Sequence, residues 1–383
     1  MVALLKKIIC SVLVFTLLAA FPSPAFADTQ PQVTAKAAVL INADSGQIIY
    51  AKEENKRLSM ASTTKIMTAL ITLEEAAVNN RVITITNEMV RVEGSSMGLL
   101  PGDQVTLKSL AAGMLTVSGN DAANSAAIAI GGNLEGFARK MNQRARELRL
   151  NDTHFVTPSG LDDKEHYTTA HDLAVLAAAA MKNSDFAQIA ASRHMDVEYI
   201  NPEHTRRLTN HNKLLSMYEG CTGVKTGFTK NAGRCLVSAA QRSGIRLIAV
   251  TLNAPDDWND HQKLLDYGFS KLTSCVIDDS GFSDSVAVVG GLKGSVEVCG
   301  TDGNNVILDT EESLRIKRTV EIPRFLYAPI EQGQVVGTVR YTLDSKTIAQ
   351  TDITAKEKIA KKEVPANLFE VFLDRLKKLF LLK

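Results

Sequence analysis

The stretch AVLINADSGQIIY at residues 38–50 decides the fold of this 383-residue chain, because it predicts the hairpin that opens the folded domain. Two β-prone apolar runs, 38–41 and 47–50, flank Asp44-Ser45-Gly46, which is typical of a tight turn. Further strands are predicted much later, at 224–228, 234–240 and 247–252. The order of strands, helices and strands predicts an α+β domain in which both chain ends meet in one antiparallel sheet covered by helices.

The long segment between these strands has helical periodicity. Apolar residues recur at helical spacing from 62 to 76, and Ser62 stands where that helix would begin. Further helices are predicted over 120–130, 135–148 and 170–181. Their many alanines indicate closely packed, buried helices.

Beyond residue 275 the pattern changes to short β-prone runs separated by Gly, Asp and Pro, which predicts a small all-β module. The runs are 286–289, 295–298, 305–308, 319–322 and 335–341. We therefore expect a catalytic domain over 28–274, a β-rich domain over 275–362 and a terminal helix over 363–383.

The two ends of the chain predict export and membrane contact. Lys6 and Lys7 precede an apolar run, and Ala25-Phe26-Ala27 has the small-x-small pattern of a cleavage site, so residues 1–27 are predicted to be a signal peptide. A retained membrane helix is the alternative, but the run is short and prolines interrupt it.

The C-terminal stretch from Pro365 to Lys383 is amphipathic. Its bulky apolar residues and basic end charges favour anchoring at a membrane interface over packing on the β module. Together, the two ends predict an exported protein on the outer face of the bacterial cytoplasmic membrane.

Composition excludes several classes of function. The 43 Lys and Arg residues nearly balance 42 Asp and Glu, so there is no basic field for nucleic acid. The histidines and cysteines show no metal-ligand spacing, and we expect neither metal nor cofactor. After the signal peptide four cysteines remain, which leaves both disulfides and free thiols open. They are Cys221, Cys235, Cys275 and Cys299.

Three short motifs occur in order along the chain, each in a suitable setting. Ser62-Thr63-Thr64-Lys65 lies at a helix start, Ser118-Gly119-Asn120 in a loop entering a helix, and Lys225-Thr226-Gly227 on a strand. Taken singly, each also fits a purely structural role as a helix cap, a turn or a strand end. Their joint occurrence favours a catalytic site.

The chemistry gives these residues roles. On a helix, Lys65 can reach the hydroxyl of Ser62 one turn earlier. Lysine acts as a base only when its pKa falls, which requires desolvation and a second cation, for which Lys225 is the candidate. The N–H groups and positive dipole at the helix start would favour a developing oxyanion near Ser62.

The other motif residues would complete a peptide cleft. Asn120 is expected to hydrogen-bond a substrate amide while Ser118 relays a proton to the departing amine. On an edge strand, Thr226 could hold a terminal carboxylate, Gly227 would let the substrate backbone approach, and the N–H of Phe228 would be a second oxyanion donor.

At this point the sequence resembles the serine-type D-alanyl-D-alanine carboxypeptidases, the low-molecular-mass penicillin-binding proteins, over roughly residues 36–272. The similarity includes ADSG at 43–46, MASTTKIMT at 60–68, HFVTPSGL at 154–161, TAHDL at 169–173 and LDYGF at 265–269. It implies a β-lactamase/transpeptidase-like domain that removes the terminal D-alanine from peptidoglycan stem peptides ending in D-Ala-D-Ala, through an acyl-enzyme on Ser62. It also implies inhibition by β-lactams and a C-terminal helix on the membrane.

Two features depart from that resemblance. Some members have an arginine shortly before the Tyr-Gly-Phe segment that helps bind the substrate carboxylate, whereas residues 255–260 here hold no cation. Carboxylate recognition would then fall to Thr226 and Lys225, with Arg234 on the next strand as a further candidate. Met60 replaces a common proline, which we expect to change only the approach to the helix.

Rival functions are a class A-like β-lactamase and a non-catalytic peptidoglycan-binding protein. The β-lactamase would need a glutamate to activate water, and Glu165 is the only acid near a suitable position. The presence of all three motifs disfavours the binding protein. His154, His166 and His171 are predicted to have structural roles and are left outside the site.

Overall fold

The structure is a computed structural model of the chain and describes residues 30–363 and 368–380. The predicted signal peptide lies outside these residues. The first part of the chain forms β1 (Ala37–Asn42), β2 (Ile48–Lys52), α1 (Lys65–Val78), β3 (Val82–Thr84), α2 (Asn87–Val90), β4 (Gln104–Thr106), α3 (Leu107–Thr116), α4 (Asn120–Gly131), α5 (Leu134–Glu147), α6 (Ala170–Ala180) and α7 (Ser184–Ala191).

The middle of the chain returns to strands. Its elements are β5 (His194–Tyr199), β6 (His204–Thr209), α8 (Leu214–Met217), β7 (Cys221–Thr229), β8 (Gly233–Arg242), β9 (Ile245–Leu252) and α9 (Asp257–Lys271). The last part forms β10 (Leu272–Cys275), β11 (Ser283–Val289), β12 (Ser295–Gly300), β13 (Val306–Asp309), α10 (Thr310–Ser313), β14 (Lys317–Glu321), β15 (Phe325–Tyr327), β16 (Val335–Leu343), β17 (Lys346–Ala355) and α11 (Leu368–Phe380).

One five-stranded antiparallel sheet joins the two ends of the first domain, in the order β2-β1-β9-β8-β7. The hairpin predicted from residues 38–50 is confirmed, and β1 lies between β2 and β9 with all six residues buried. Because β1 is covered on both faces, its continuous apolar run differs from the alternation of a half-exposed strand. The strand β7 forms one edge of the sheet, so its outer backbone groups are open to a ligand.

Helices cover both faces of this sheet. The Ala-rich helices α1, α3, α4 and α6 supply most of the larger core on one face. The three helices predicted after residue 119 are confirmed, with ends that differ by one residue. On the other face α9 packs through Leu264 and Leu265, although the sequence pattern did not predict this helix.

The β-rich part is a six-stranded sheet in the order β14-β16-β17-β12-β11-β15, packed around apolar residues such as Val296, Val298 and Ile353. The predicted change to an all-β pattern is therefore confirmed. A separate antiparallel pair, β10 with β13, connects this part to the end of α9. The boundary at residue 275 stays a prediction, because it falls on the last residue of β10.

The C-terminal helix α11 presents exposed Val371, Phe372 and Leu373. Within the described part of the chain, no helix combines the length and apolar character needed to cross a bilayer. The four cysteines after the signal peptide are free thiols in the structure, which is one of the two alternatives that the sequence left open.

Candidate active site

The serine of the first motif lies on a short 3-10 turn. This turn spans Ala61–Thr64, and α1 begins only at Lys65. The prediction that the α-helix begins at Ser62 is therefore wrong by one turn. The Thr63 and Thr64 hydroxyls bond to backbone carbonyls within the segment, which favours a tight local turn over regular helix. Ser62 nevertheless stays beside Lys65, since residues three apart in a 3-10 turn lie on one side.

A hydrogen bond from a buried histidine holds this turn. Thr64 Oγ1 donates to Ala61 O at 2.8 Å and lies 2.8 Å from His166 Nε2. His166 Nδ1 accepts from Val156 N at 2.9 Å, so the ring carries its proton on Nε2 and donates to Thr64. Burial lowers the pKa of His166 to about 4, which keeps the ring neutral. His166 thus stabilises the turn through Thr64.

A glycine gives the turn room. Gly160 has a φ of +82°, and a Cβ added to it would lie 2.0 Å from Ala61 O. Only glycine fits this close approach at this left-handed conformation. The same segment places its Ser159 carbonyl in the site.

Lys65 is the centre of the site and is fully buried. Its Nζ lies 3.0 Å from Ser62 Oγ, 2.6 Å from Asn120 Oδ1 and 2.6 Å from Ser159 O. The last two atoms can only accept hydrogen bonds, so they take both N–H groups of a neutral amine. The lone pair of the neutral amine is then directed at the Ser62 hydroxyl.

Electrostatics favours that neutral form. Desolvation by burial, and then the charge of Lys225, hold the pKa of Lys65 well below its usual value, while Asp121 opposes them. Burial also lowers the pKa of Lys225 to about 7. The sequence-based expectation of a desolvated lysine beside a second cation matches these directions.

The second motif enters from the loop before α4. Ser118 has a φ of +60°, is nearly buried and lines the cleft beside Ser62. The amide of Asn120 makes two bonds within the chain: its Oδ1 accepts from Lys65, and its Nδ2 donates to Glu93 O at 2.6 Å. Asn120 therefore contacts the lysine, and the predicted hydrogen bond to a substrate amide stays a prediction, since the Nδ2 group carries a second N–H.

The third motif lies on the open edge of the sheet. Arg234 O accepts from Ala254 N, so the backbone groups of Arg234 point away from β7. Phe228 lies opposite Arg234, and the two residues therefore form a pair without mutual backbone hydrogen bonds. The N–H of Phe228 consequently points away from β8, toward the open edge. The backbone groups of Thr226, two residues earlier on the same strand, also point toward the open edge. The Thr226 carbonyl accepts a hydrogen bond from Lys225 Nζ at 2.8 Å.

Gly227 packs closely on the 3-10 turn that carries Ser62. A Cβ added to it would lie 3.0 Å from Thr63 N and 3.1 Å from Ser62 N. The missing side chain therefore admits the chain's own 3-10 turn, and the expectation that Gly227 also lets the substrate backbone approach stays a prediction. The close contact sets the backbone N–H of Ser62 against the edge strand.

These elements surround one polar cleft of about 790 Å³. Its walls bring together Ser62, Ser118, Thr226, Gly227 and Phe228. Lys65, Asn120 and Lys225 lie buried beneath this surface. The sequence did not predict that Ser95, His211, Lys213, Asp257 and Trp258 also line the cleft, because they come from loops and a helix start without a recognised motif. Among residues 30–363 and 368–380, no group of His, Cys, Asp and Glu could hold a metal ion.

Comparisons with known proteins agree with this geometry. A family model described as D-alanyl-D-alanine carboxypeptidase matches residues 24–256, and a model of the C-terminal domain of penicillin-binding protein 5 matches residues 278–361. D-alanyl-D-alanine carboxypeptidase DacF of Bacillus subtilis is 32% identical over 373 residues, which cover 93% of this chain and 95% of the relative.

Solved structures show the same similarity. The D-alanyl-D-alanine carboxypeptidase DacD from Francisella tularensis has a TM-score of 0.65 at 27% identity, covering 90% of this chain and 98% of that one. Penicillin binding protein 5 from Haemophilus influenzae has a TM-score of 0.63 at 30% identity, covering 87% and 99%. Fold and site together define a serine hydrolase. The chain belongs to the D-alanyl-D-alanine carboxypeptidase family.

Proposed function

We propose that this chain removes the terminal D-alanine from peptidoglycan stem peptides that end in D-Ala-D-Ala, and that Ser62 forms the acyl-enzyme. The observation that carries the proposal is the 3.0 Å approach of Lys65 Nζ to Ser62 Oγ, at a buried site that lowers the pKa of the lysine. Neutral Lys65 takes the hydroxyl proton as Ser62 attacks the penultimate D-Ala carbonyl. D-alanine leaves, and water then releases the shortened peptide from Ser62.

The departing amine needs a proton. Ser118 lines the same cleft as Ser62, which supports our assignment of its hydroxyl to pass the proton from Lys65 to the leaving nitrogen. Asn120 acts in this scheme as a positioning residue, since its Oδ1 holds the amine of Lys65.

The developing negative charge needs two donors. We assign them to the backbone N–H groups of Ser62 and Phe228, which the close packing of Gly227 on the 3-10 turn brings to the same wall. The open edge of β7 can pair with an extended peptide and hold its carbonyl between these donors.

The same site accounts for inhibition by β-lactams, whose strained amide would acylate Ser62. A β-lactamase is disfavoured, because Glu165 is exposed and is not among the residues that line the cleft. Without a glutamate that activates water, the β-lactam adduct should be long-lived.

Covalent labelling tests the proposal. Intact-mass measurement after incubation with a fluorescent penicillin should show one added acyl group on the wild type and none on Ser62→Ala. Ser59→Ala is the matched control, since Ser59 lies on the same segment and its hydroxyl accepts a hydrogen bond from the surface residue Asn231. D-alanine release from a D-Ala-D-Ala peptide should follow the same pattern. A wild type that gains no acyl group and releases no D-alanine would leave only a binding role.

We also propose that residues 1–27 direct export and that α11 seats the protein on the outer face of the cytoplasmic membrane. The support is the exposed apolar surface of α11 beside its basic residues. Truncation before Pro365 should release the protein from membranes. Phe372→Ser should weaken retention and Glu370→Ser should not; equal retention of all variants would contradict the anchor.

A further inference from the structure

The proposed substrate ends in a carboxylate, and the buried lysines are poorly placed to bind it. Lys225 faces the core, donates to Thr226 O at 2.8 Å and is fully buried. Its side chain lies on the face of the sheet that packs on the Ser62 turn, together with Gly227. A carboxylate one residue beyond the scissile carbonyl therefore needs a cation elsewhere in the cleft.

The side chains of Thr226 and Phe228 project to the opposite face of the edge strand. Arg234 is directly opposed to Phe228 in the register of β7 and β8, so its side chain projects to that same face. Directly opposed residues have Cβ atoms about 4.5–5.5 Å apart, a distance that an arginine side chain easily spans. Arg234 also lines the cleft that contains Ser62.

The guanidinium of Arg234 is held in place. Asp257 Oδ1 accepts from its Nε at 3.0 Å, and Nη2 lies 2.9 Å from the same oxygen. Its Cζ stands 5.7 Å from the ring centroid of Trp258. Asp257 is 3% exposed, whereas Arg234 is 42% exposed, so the carboxylate fixes the arginine from the protein side and leaves its other side to the cleft.

We propose that Arg234 binds the terminal carboxylate of the peptide and thereby selects substrates that end in a free acid. Its remaining N–H groups provide the planar donor set that suits a carboxylate, and a guanidinium stays charged at any physiological pH. Thr226 adds a hydroxyl on the same face. Asp257 and Trp258 act as positioning residues. This inference rests on the proposed function.

A comparison of two peptides tests it: one ending in D-Ala-D-Ala as the free acid, and one with the C-terminal carboxamide. Release of D-alanine or D-alaninamide gives kcat/KM for each. A charged hydrogen bond of about 1.5–3 kcal/mol predicts that Arg234→Ala lowers kcat/KM roughly 10-fold to 150-fold on the acid. Arg234→Ala should cleave the carboxamide peptide with the same kcat/KM as the wild type. Arg234→Lys should retain part of the preference for the free acid.

The matched control is Arg242→Ala. Arg242 lies on the same strand, stacks on Tyr218 and approaches Asp266 at 3.8 Å, but it is remote from the cleft. Equal losses on both peptides would show a structural role for Arg234, and unchanged selectivity would also overturn the proposal. Arg234→Gln keeps the test available if the alanine variant does not fold. A wild type that cleaves neither peptide would refute the proposed function itself.

Discussion

Replacing Asn120 with alanine tests whether this side chain orients the lysine base. The amide contacts Lys65 Nζ at 2.6 Å on one side and Glu93 O at 2.6 Å on the other. In its absence the amine keeps only Ser159 O as a fixed acceptor, and its lone pair is free to turn away from Ser62. We therefore expect slower acylation in an enzyme that still folds.

The two hydrogen bonds of Asn120 set the size of the expected losses in stability and in acylation rate. Each net hydrogen bond contributes about 0.5–1.5 kcal/mol, so the loss of two bonds should lower the free energy of unfolding by about 1–3 kcal/mol. If about 1–2 kcal/mol of orientation is lost at the acylation barrier, the rate falls roughly 5-fold to 30-fold. Asn142→Ala is the matched control: its Nδ2 donates to Phe155 O at 2.7 Å and its Oδ1 accepts from Phe155 N at 2.9 Å.

The assay is the rate of acylation by a fluorescent penicillin, measured with thermal unfolding of the same samples. Both variants should lose comparable stability, and only Asn120→Ala should acylate slowly. Acylation of folded Asn120→Ala at the wild-type rate would refute the positioning role. Equal slowing by Asn142→Ala would show that lost stability alone explains the effect.

Two other substitutions test the support of the nucleophile and of its base. Gly160→Ala places a Cβ 2.0 Å from the backbone oxygen of Ala61 at a positive φ, so thermal unfolding should show a loss of more than ~1 kcal/mol, together with slow penicillin labelling. Retained stability would contradict the close packing. Acylation requires neutral Lys65, so the rate falls as the pH drops through its lowered pKa. Lys225→Met removes a neighbouring positive charge and raises that pKa, so the acidic limb of the pH–rate profile should move to higher pH; an unmoved limb would exclude the proposed coupling.

Local patterns were sufficient to predict the sheet. The apolar runs of β1, β8 and β9 are continuous because helices bury both faces of these strands, and such runs are recognisable without knowledge of their partners. The helix α9 was missed for the opposite reason. Its Asp260 and His261 are fully buried, Asp260 against the backbone of Thr34 and His261 against Ser238 and Thr251. These polar residues have partners far away in the chain, so no periodic apolar stripe is present.

The same limit applies to the active site. Ser62, Lys65 and Lys225 could be proposed from motif and chemistry, because their roles depend on side chains with recognisable spacing. The carbonyl of Ser159 has no side-chain signature, although it lies 2.6 Å from the amine of Lys65. The Ser62 turn likewise departs from a helix because of Gly160 and His166, which come close to it only in the folded chain.

The contacts that Asn120 and Gly227 make within the chain have one physical cause. A buried lysine that must be neutral yet fixed needs acceptors for its two N–H groups, and the chain itself supplies both through Asn120 Oδ1 and Ser159 O. The turn that carries Ser62 packs directly on the edge strand β7. Gly227 allows this approach, because a side chain there would contact the backbone of the turn. These residues therefore prepare the catalytic groups before substrate arrives, which leaves recognition to the exposed face of the edge strand. Replacing a residue that prepares the lysine should accordingly slow acylation by the peptide and by penicillin alike.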